Sequence, residues 1–253
     1  MLGLMKSAIR GTARLAGYDI RPAPSRIGYT VARRRRWGDD YISDLKAIAR
    51  LAGRPIQTIF VVGAFEGHGS LELLRAFPHA TVHSFEPDPE TFGRLVQNVR
   101  TFPNAVNHNI AVGDASGHVP FYVNAAKDCS SLLPPDPLGI LKPSAATTEI
   151  TVVTLDDFCR EQHLGRVDYV HADVQGVEHQ LLRGARRLLE QRRIATLLLE
   201  VSFDPFYQGQ STVSELFERM SAHDYRFVCT QGMFFEPGVP YPRGGNLIFT
   251  AKL

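Results

Sequence analysis

Three short stretches place glycines and acids where a small charged molecule could be held. Residues 59–70, IFVVGAFEGHGS, run from an apolar segment into a turn containing Gly63, Gly67 and Gly69. A dinucleotide cradle needs G-x-G-x-x-G; with Gly63 first, the other two positions hold Phe65 and His68. No Gly-Lys-Ser/Thr follows, so a P-loop is excluded as well. The next apolar run ends in Phe85-Glu86-Pro87-Asp88. An acid about twenty residues beyond a glycine turn can accept hydrogen bonds from the hydroxyls of a ribose, which suits Glu86, whereas Asp88 suits the start of a helix and its dipole. A third run ends in Val112-Gly113-Asp114-Ala115. The Asp114 carboxylate is either an acceptor for an adenine amino group or an ordinary turn residue of D-A-S-G. Gly63, Ala64, Phe65, Gly67, Glu86, Pro87, Asp114 and Ala115 thus outline an adenosine site without a pyrophosphate cradle, and the cofactor expected of it is S-adenosyl-L-methionine.

A second constellation lies in Tyr169-Val170-His171-Ala172-Asp173-Val174-Gln175. A strand's period of two puts His171, Asp173 and Gln175 on one face. Polar groups there are costly to bury without partners, so a site at the strand's carboxyl end is expected, with Glu178 about one helical turn beyond Gln175. Asp173, Glu178 and His171 or His179 match no strong metal-ligand spacing, and no metal is expected.

These residues need a scaffold, and the pattern supplies one. The spacing predicts helices over 40–53, 69–77, 89–102, 177–191 and 211–224. It predicts strands over 56–63, 80–88, 106–114, 167–174, 194–201, 225–232 and 244–253, with HVPFYVN (118–124) as an additional strand. Residues 125–148, rich in Pro, Ser and Thr, read as a lid or binding segment. Apolar strands alternating with helices imply an α/β, doubly wound, mostly parallel sheet with an antiparallel C-terminal strand. In such sheets ligands sit beyond the carboxyl ends of the strands, where the three glycine- and acid-bearing stretches and Asp173 fall.

The organisation expected is a basic, partly helical extension over 1–38 and one domain over 39–253. Of the formal net charge of +2, residues 1–54 carry 12 Lys and Arg against 4 Asp and Glu, so the basic character belongs to the extension. Leu2, Met5, Ile9, Ala13 and Ala16 form an amphipathic stripe beside Lys6, Arg10 and Arg14. It can pack on the domain or a second subunit, giving a homodimer, or touch an anionic membrane surface through residues 1–36. RPAPS (21–25) reads as a linker because two prolines discourage helix. ARRRRW (32–37) is a solvated face or a contact for an anionic lipid or diphosphate; no nucleic-acid module accompanies it, and no nucleic-acid partner is expected. Three widely spaced cysteines without a CxxC pair suit a reduced, cytoplasmic protein.

GAFEGHGS, HSFEPDPETFGRL, AVGDASG, VVTLDDF, DYVHADVQGVEHQLLRGA, LLLEV and NLIF together resemble, from about residue 40 to the C-terminus, the ordered motifs of FkbM-type S-adenosylmethionine-dependent O-methyltransferases. The resemblance implies a class I methyltransferase, Rossmann-like fold and methyl transfer to a hydroxyl of a saccharide, glycolipid or glycosylated natural product. Such transfer needs a group to take the hydroxyl proton: Asp173 or His171 as base, with Glu178 and Glu200 orienting the acceptor. The family's D-V-G-A-N stands here as Val61-Val62-Gly63-Ala64-Phe65, and its K-x-D-x-E-G as His171-Ala172-Asp173-Val174-Gln175-Gly176. These departures leave a second reading, a methyltransferase fold kept as a binding or scaffolding subunit without catalysis.

Overall fold

The structure, a computed structural model, describes residues 18–22, 29–33, 37, 38, 40–137, 139, 141, 142 and 146–252. The chain divides into two compact units, Met1–Asp39 and Asp40–Leu253. In the first, β1 (Tyr18–Pro22) pairs antiparallel with β2 (Tyr29–Arg33). Arg21 and Pro22, expected in a linker, instead end β1, an edge position where proline's missing N–H is tolerated. The expected stripe from Leu2 to Ala16 and arginines 34–36 lie outside the described residues.

The second unit opens with α1 (Tyr41–Leu51), whose first turn is capped by the Asp40 side chain accepting from the Ile42 and Ser43 N–H groups. Then come β3 (Thr58–Val62), α2 (His68–Ala76), β4 (Thr81–Phe85), α3 (Pro89–Val99), β5 (Ala105–His108), β6 (Ala111–Val112), β7 (Gly117–Val123), β8 (Ala146–Val153), α4 (Leu155–Glu161), β9 (Val167–Ala172), α5 (Glu178–Gly184), α6 (Arg186–Glu190), β10 (Ile194–Ser202), α7 (Val213–Ala222), β11 (Tyr225–Phe234) and β12 (Gly244–Ala251). Seven strands form one sheet in the order β11-β12-β10-β9-β3-β4-β5. The five from β10 to β5 run parallel, β12 runs against them, and β11, antiparallel to β12, runs with the five again. This is the class I methyltransferase architecture that the motifs imply.

Burial on both faces explains the near-continuous apolar strands. Ile59 and Val61 of β3 pack with Leu73, Leu74, Leu95, Tyr169 and Leu198 in one core. Phe60 and Val62 pack with Phe85, Val170, Leu181, Leu199 and Leu216 in the other. Each such side chain contributes about 1.5–3 kcal/mol by leaving water, and together they fix where the strand ends stand.

Three departures from the sequence expectation bear on the site. The strand expected over 106–114 is broken: β5 closes the main sheet, while β6 joins a separate sheet of order β6-β8-β7. Asn109 makes the break, its Nδ2 donating to the Glu86 and Pro87 carbonyls at 2.9 and 3.0 Å. The irregular stretch ends earlier than residue 148, because β8 begins at Ala146 and pairs antiparallel with β7. The helix expected over 177–191 divides after Gly184, where a Cβ would lie 2.0 Å from the Gly113 carbonyl oxygen.

Candidate active site

The turn after β3 is held by the neighbouring strand. The Gly63 and Ala64 N–H groups both donate to the Phe85 carbonyl, at 3.0 and 2.9 Å, and the Gly67 N–H closes the turn onto the Ala64 carbonyl at 2.8 Å. The Phe65 N–H donates to Glu86 Oε2 at 2.9 Å. Gly63 has φ +76°, and a Cβ on it would fall 1.8 Å from the Asp173 carbonyl oxygen. Only glycine lets the ends of β3 and β9 approach this closely. Phe65 is left-handed at φ 49°, a conformation that costs a side-chain-bearing residue roughly 1–2 kcal/mol; the bond to Glu86 offsets part of that. Val61, where the family carries an acid, is 3% exposed and sits in the core with Ala64 and Leu73. Phe85 and Glu86 anchor the loop in this chain.

Glu86 is 6% exposed. Its Oε1 accepts from the Asp88 N–H at 2.9 Å. Burial pushes its pKa up to about 7, against the two backbone hydrogen bonds that pull it down. Asp88 caps α3 by accepting from the Thr91 N–H at 2.9 Å, and receives the Lys127 ammonium at 3.1 Å. That ammonium also lies 3.2 Å from Glu90.

A cleft opens between the carboxyl ends of β3, β4 and β9. Gly63, Phe65, Glu86, Pro87 and Asp173 line it, together with Ala111 and Val112 of β6, Phe121 of β7, and Lys127 and Ser131 from the connection between β7 and β8. Ala64 and Gly67 shape the turn without lining the cleft. Asp114 and Ala115 line a separate groove with Gly113 and Gln180, and Asp114 Oδ2 accepts from the Arg183 guanidinium at 2.7 Å.

The expected strand over 167–174 stops at Ala172. Asp173 makes a last ladder contact, its N–H donating to the Val62 carbonyl at 3.0 Å. The chain then turns through Gln175 at φ 54°, so the period-of-two reading fails for Gln175. Gln175 Nε2 donates to Asp173 Oδ1 at 2.6 Å and to Glu200 Oε2 at 3.2 Å. The Tyr207 hydroxyl lies 2.7 Å from Gln175 Oε1 and 3.0 Å from the Cys129 carbonyl. Glu200 is raised well above the ordinary carboxyl range by burial, by its hydrogen bond with Asp173 and by the charge there. Glu178, 2% exposed, accepts from the Gly176 N–H at 3.3 Å, and burial pushes it up to about 7.

His171 does not line the cleft. Its ring stands edge-on to Tyr41, at 5.6 Å, and to Tyr169, at 6.2 Å, and burial lowers its pKa, keeping the imidazole neutral. His179 is also elsewhere, with Nε2 3.4 Å from the Arg219 guanidinium. Among the described residues no three His, Cys, Asp or Glu side chains are grouped to hold a metal ion.

Tyr207 and Lys127 were not legible as site residues. Lys127 falls in the stretch expected to be a binding segment, but Tyr207 carries no local signal, since it reaches Gln175 across 32 positions. Residues 231–245, with their aromatics and prolines, contribute nothing to the cleft lining; Arg243 pairs there with Asp204 and Glu236. A larger cavity, about 610 Å³, opens at the opposite end of the strands, by the amino ends of β9 and β10, beside Arg54, Arg166, Arg193 and Thr196. It has neither a glycine turn nor an acid at a strand's carboxyl end.

A model of the methyltransferase FkbM domain matches residues 62–227. The chain is similar to the 2-O-methyltransferase NoeI of Sinorhizobium fredii (strain NBRC 101917 / NGR234), 25% identical over 209 residues covering 79% of this chain and 80% of that one. Among solved structures it is similar to magnesium protoporphyrin IX methyltransferase (ChlM) from Synechocystis PCC 6803, with TM-score 0.47 and 14% identity over 83% of this chain and 77% of that one. It is similar also to precorrin-6y C5,15-methyltransferase from Geobacter metallireducens GS-15, with TM-score 0.44 and 14% identity over 87% and 92%. With the family match spanning most of the sheet and both constellations of the cleft, the chain belongs to the FkbM methyltransferase family.

Proposed function

We propose that this chain is an S-adenosylmethionine-dependent O-methyltransferase acting on a hydroxyl of a saccharide, glycolipid or glycosylated natural product. One observation carries the reading: Glu86 and Asp173, at the carboxyl ends of the two strands that flank β3, line a single cleft. The residues fit the cofactor. Gly63 lets backbone approach where a Cβ would collide, and Glu86 is a buried acid with acceptor capacity beyond its two backbone bonds. Glu86 would hold the ribose hydroxyls; Pro87, Ala111, Val112 and Phe121 offer the adenine an apolar wall. Asp114, engaged by Arg183 in the neighbouring groove, takes no part in that wall.

When bound, S-adenosylmethionine supplies an electrophilic methyl group on its sulfonium. The chain's own residues orient the acceptor and take its proton. Asp173 accepts the hydroxyl proton; Glu200 and Glu178 shape its surroundings. Transfer to oxygen is supported by the resemblance to a 2-O-methyltransferase, and a sugar acceptor by the motifs shared with the family.

Calorimetric titration with S-adenosylmethionine and S-adenosylhomocysteine, followed by transfer of labelled methyl to a panel of saccharides, glycolipids and nucleic acids, tests this. Absence of heat at millimolar ligand would sink it. The binding-subunit reading draws on Val61 in the core and on left-handed Phe65 and Gln175; cofactor binding without transfer to any acceptor would favour it. Among the described residues no helix is long and apolar enough to cross a membrane. Cytoplasmic location, surface contact through residues 1–36 and a homodimer belong to the same proposal; vesicle co-sedimentation and light scattering test the last two.

A further inference from the structure

We propose that Gln175 is a positioning residue whose carboxamide, oriented by Tyr207, holds the Asp173 and Glu200 carboxyl groups side by side and aims Asp173 into the cleft. This rests on the methyltransferase reading, and treats Gln175 as a working part of the acceptor end.

The geometry leaves the amide one arrangement. A primary amide has two N–H donors and one carbonyl acceptor. Both donors are used, on Asp173 at 2.6 Å and on Glu200 at 3.2 Å, and the oxygen faces the Tyr207 hydroxyl at 2.7 Å. Turning the amide over would set its oxygen against the Asp173 carboxyl oxygen, and the Tyr207 hydroxyl, which can also donate to the Cys129 carbonyl at 3.0 Å, would lose the amide oxygen as an acceptor. Tyr207 is itself fixed. Its N–H and that of Phe206 donate to Gln210 Oε1, both at 2.9 Å, and it forms an isolated bridge with Pro135. The backbone beneath Gln175 is held too, because Ser131 Oγ donates to its carbonyl at 2.7 Å.

The carboxyl pair has a reason to need such a holder. Glu200 is hydrogen-bonded to Asp173, with Glu178 and the Tyr207 hydroxyl also acting on the network and the Cys129 thiol beside it. His171, kept neutral by burial, is under the influence of the Asp173 and Glu72 charges. Among the described residues no cation acts on Glu200, and the buried Glu86 also feels the Asp173 charge. A proton held on Glu200 relieves the repulsion, and the two amide donors spread over both groups stabilise the charge that is left. An amide does this without adding charge; a carboxylate at 175 would add a further negative charge beside Asp173.

The test follows the carboxyl groups directly. In the full chain, with Asp and Glu labelled at the side-chain carboxyl carbon, 13C resonances are followed against pH in the parent and in Gln175→Asn, Gln175→Glu and Tyr207→Phe. Asparagine tolerates the left-handed backbone but is one methylene too short to bridge, so it separates reach from folding. The expected outcome is that Glu200 releases its proton about one pH unit higher in Gln175→Asn, a tenfold change in proton affinity. The shift is larger in Gln175→Glu and smaller in Tyr207→Phe. A folded Gln175→Asn that titrates as the parent does would overturn the proposal. S-adenosylhomocysteine calorimetry on the same samples reports separately on the methyltransferase reading. A carboxyl shift in a parent that binds no S-adenosylhomocysteine would leave the hydrogen-bond network standing and remove its catalytic role.

Discussion

The two halves of the cleft are built from different materials. On the β3–β4 side a backbone turn is gripped by one carbonyl, that of Phe85, and one buried acid, Glu86. On the β9–β10 side a chain of side chains, Tyr207 to Gln175 to Asp173 and Glu200, does the holding. Both halves set a bulky residue in the left-handed region, Phe65 at 49° and Gln175 at 54°. On the first side that strain serves a main-chain hydrogen bond; on the second it places a carboxamide. A backbone cradle binds what many acceptors share, and a side-chain network is free to change with the acceptor.

Gly63→Ala tests whether the halves depend on each other, because the new Cβ would strike the Asp173 carbonyl. We expect a loss above about 4 kcal/mol, read as a collapsed thermal transition and lost S-adenosylhomocysteine binding. A stable variant that still binds would show the two sides to be independent. Asp173→Asn breaks only the second half: methyl transfer should fall by about 10²–10⁴-fold while calorimetry finds S-adenosylhomocysteine affinity retained. Unchanged turnover would place the base elsewhere.

Glu86→Ala breaks only the first half, and removing charge-assisted hydrogen bonds of about 1.5–3 kcal/mol should weaken S-adenosylhomocysteine roughly 10- to 100-fold. The pH dependence has a fixed sign. Because the Glu86 pKa is raised in the fold to about 7 from 4.5, its contribution to the stability of the free protein is full below 4.5 and lost as pH rises through about 7. Cofactor hydroxyls need the carboxylate, so affinity should fall as pH drops through that same value and flatten in the variant. The smallest effect is Phe65→Asn, which should gain about 1 kcal/mol in denaturant melts by easing the left-handed backbone. A loss would mean that the Phe65 ring on the cleft wall outweighs the strain.

The same contrast decided what was legible. Glycine spacing, apolar runs and an acid after β4 are local features, so the sheet, the turn and Glu86 could be read directly from the chain. The strained Phe65 could be read as well, because the motif around it asks for a residue that accepts a positive φ. Tyr207 meets Gln175 only across a separation of 32 positions, and no local pattern announces such a meeting; Glu200, 25 positions from Gln175, is reached through the resemblance alone. His171 misled for the opposite reason: alternation set it beside Asp173, but β9 ends between them and the imidazole stays with Tyr41 and Tyr169. Asp114, an acid after a strand, is engaged by a nearby arginine and lies in a separate groove.

Asn109 gives the domain a seam. By tying the Glu86 and Pro87 carbonyls with one amide group it ends the main sheet and releases the chain into the small sheet that carries the connection between β7 and β8. Insertions or grafts in the connection that follows β7 can remodel the cleft wall around Lys127 and Ser131 without disturbing the register of β3 and β4. Diversification of substrate within such a scaffold would then begin as loop exchange beyond residue 123, with the strands of the main sheet left in register.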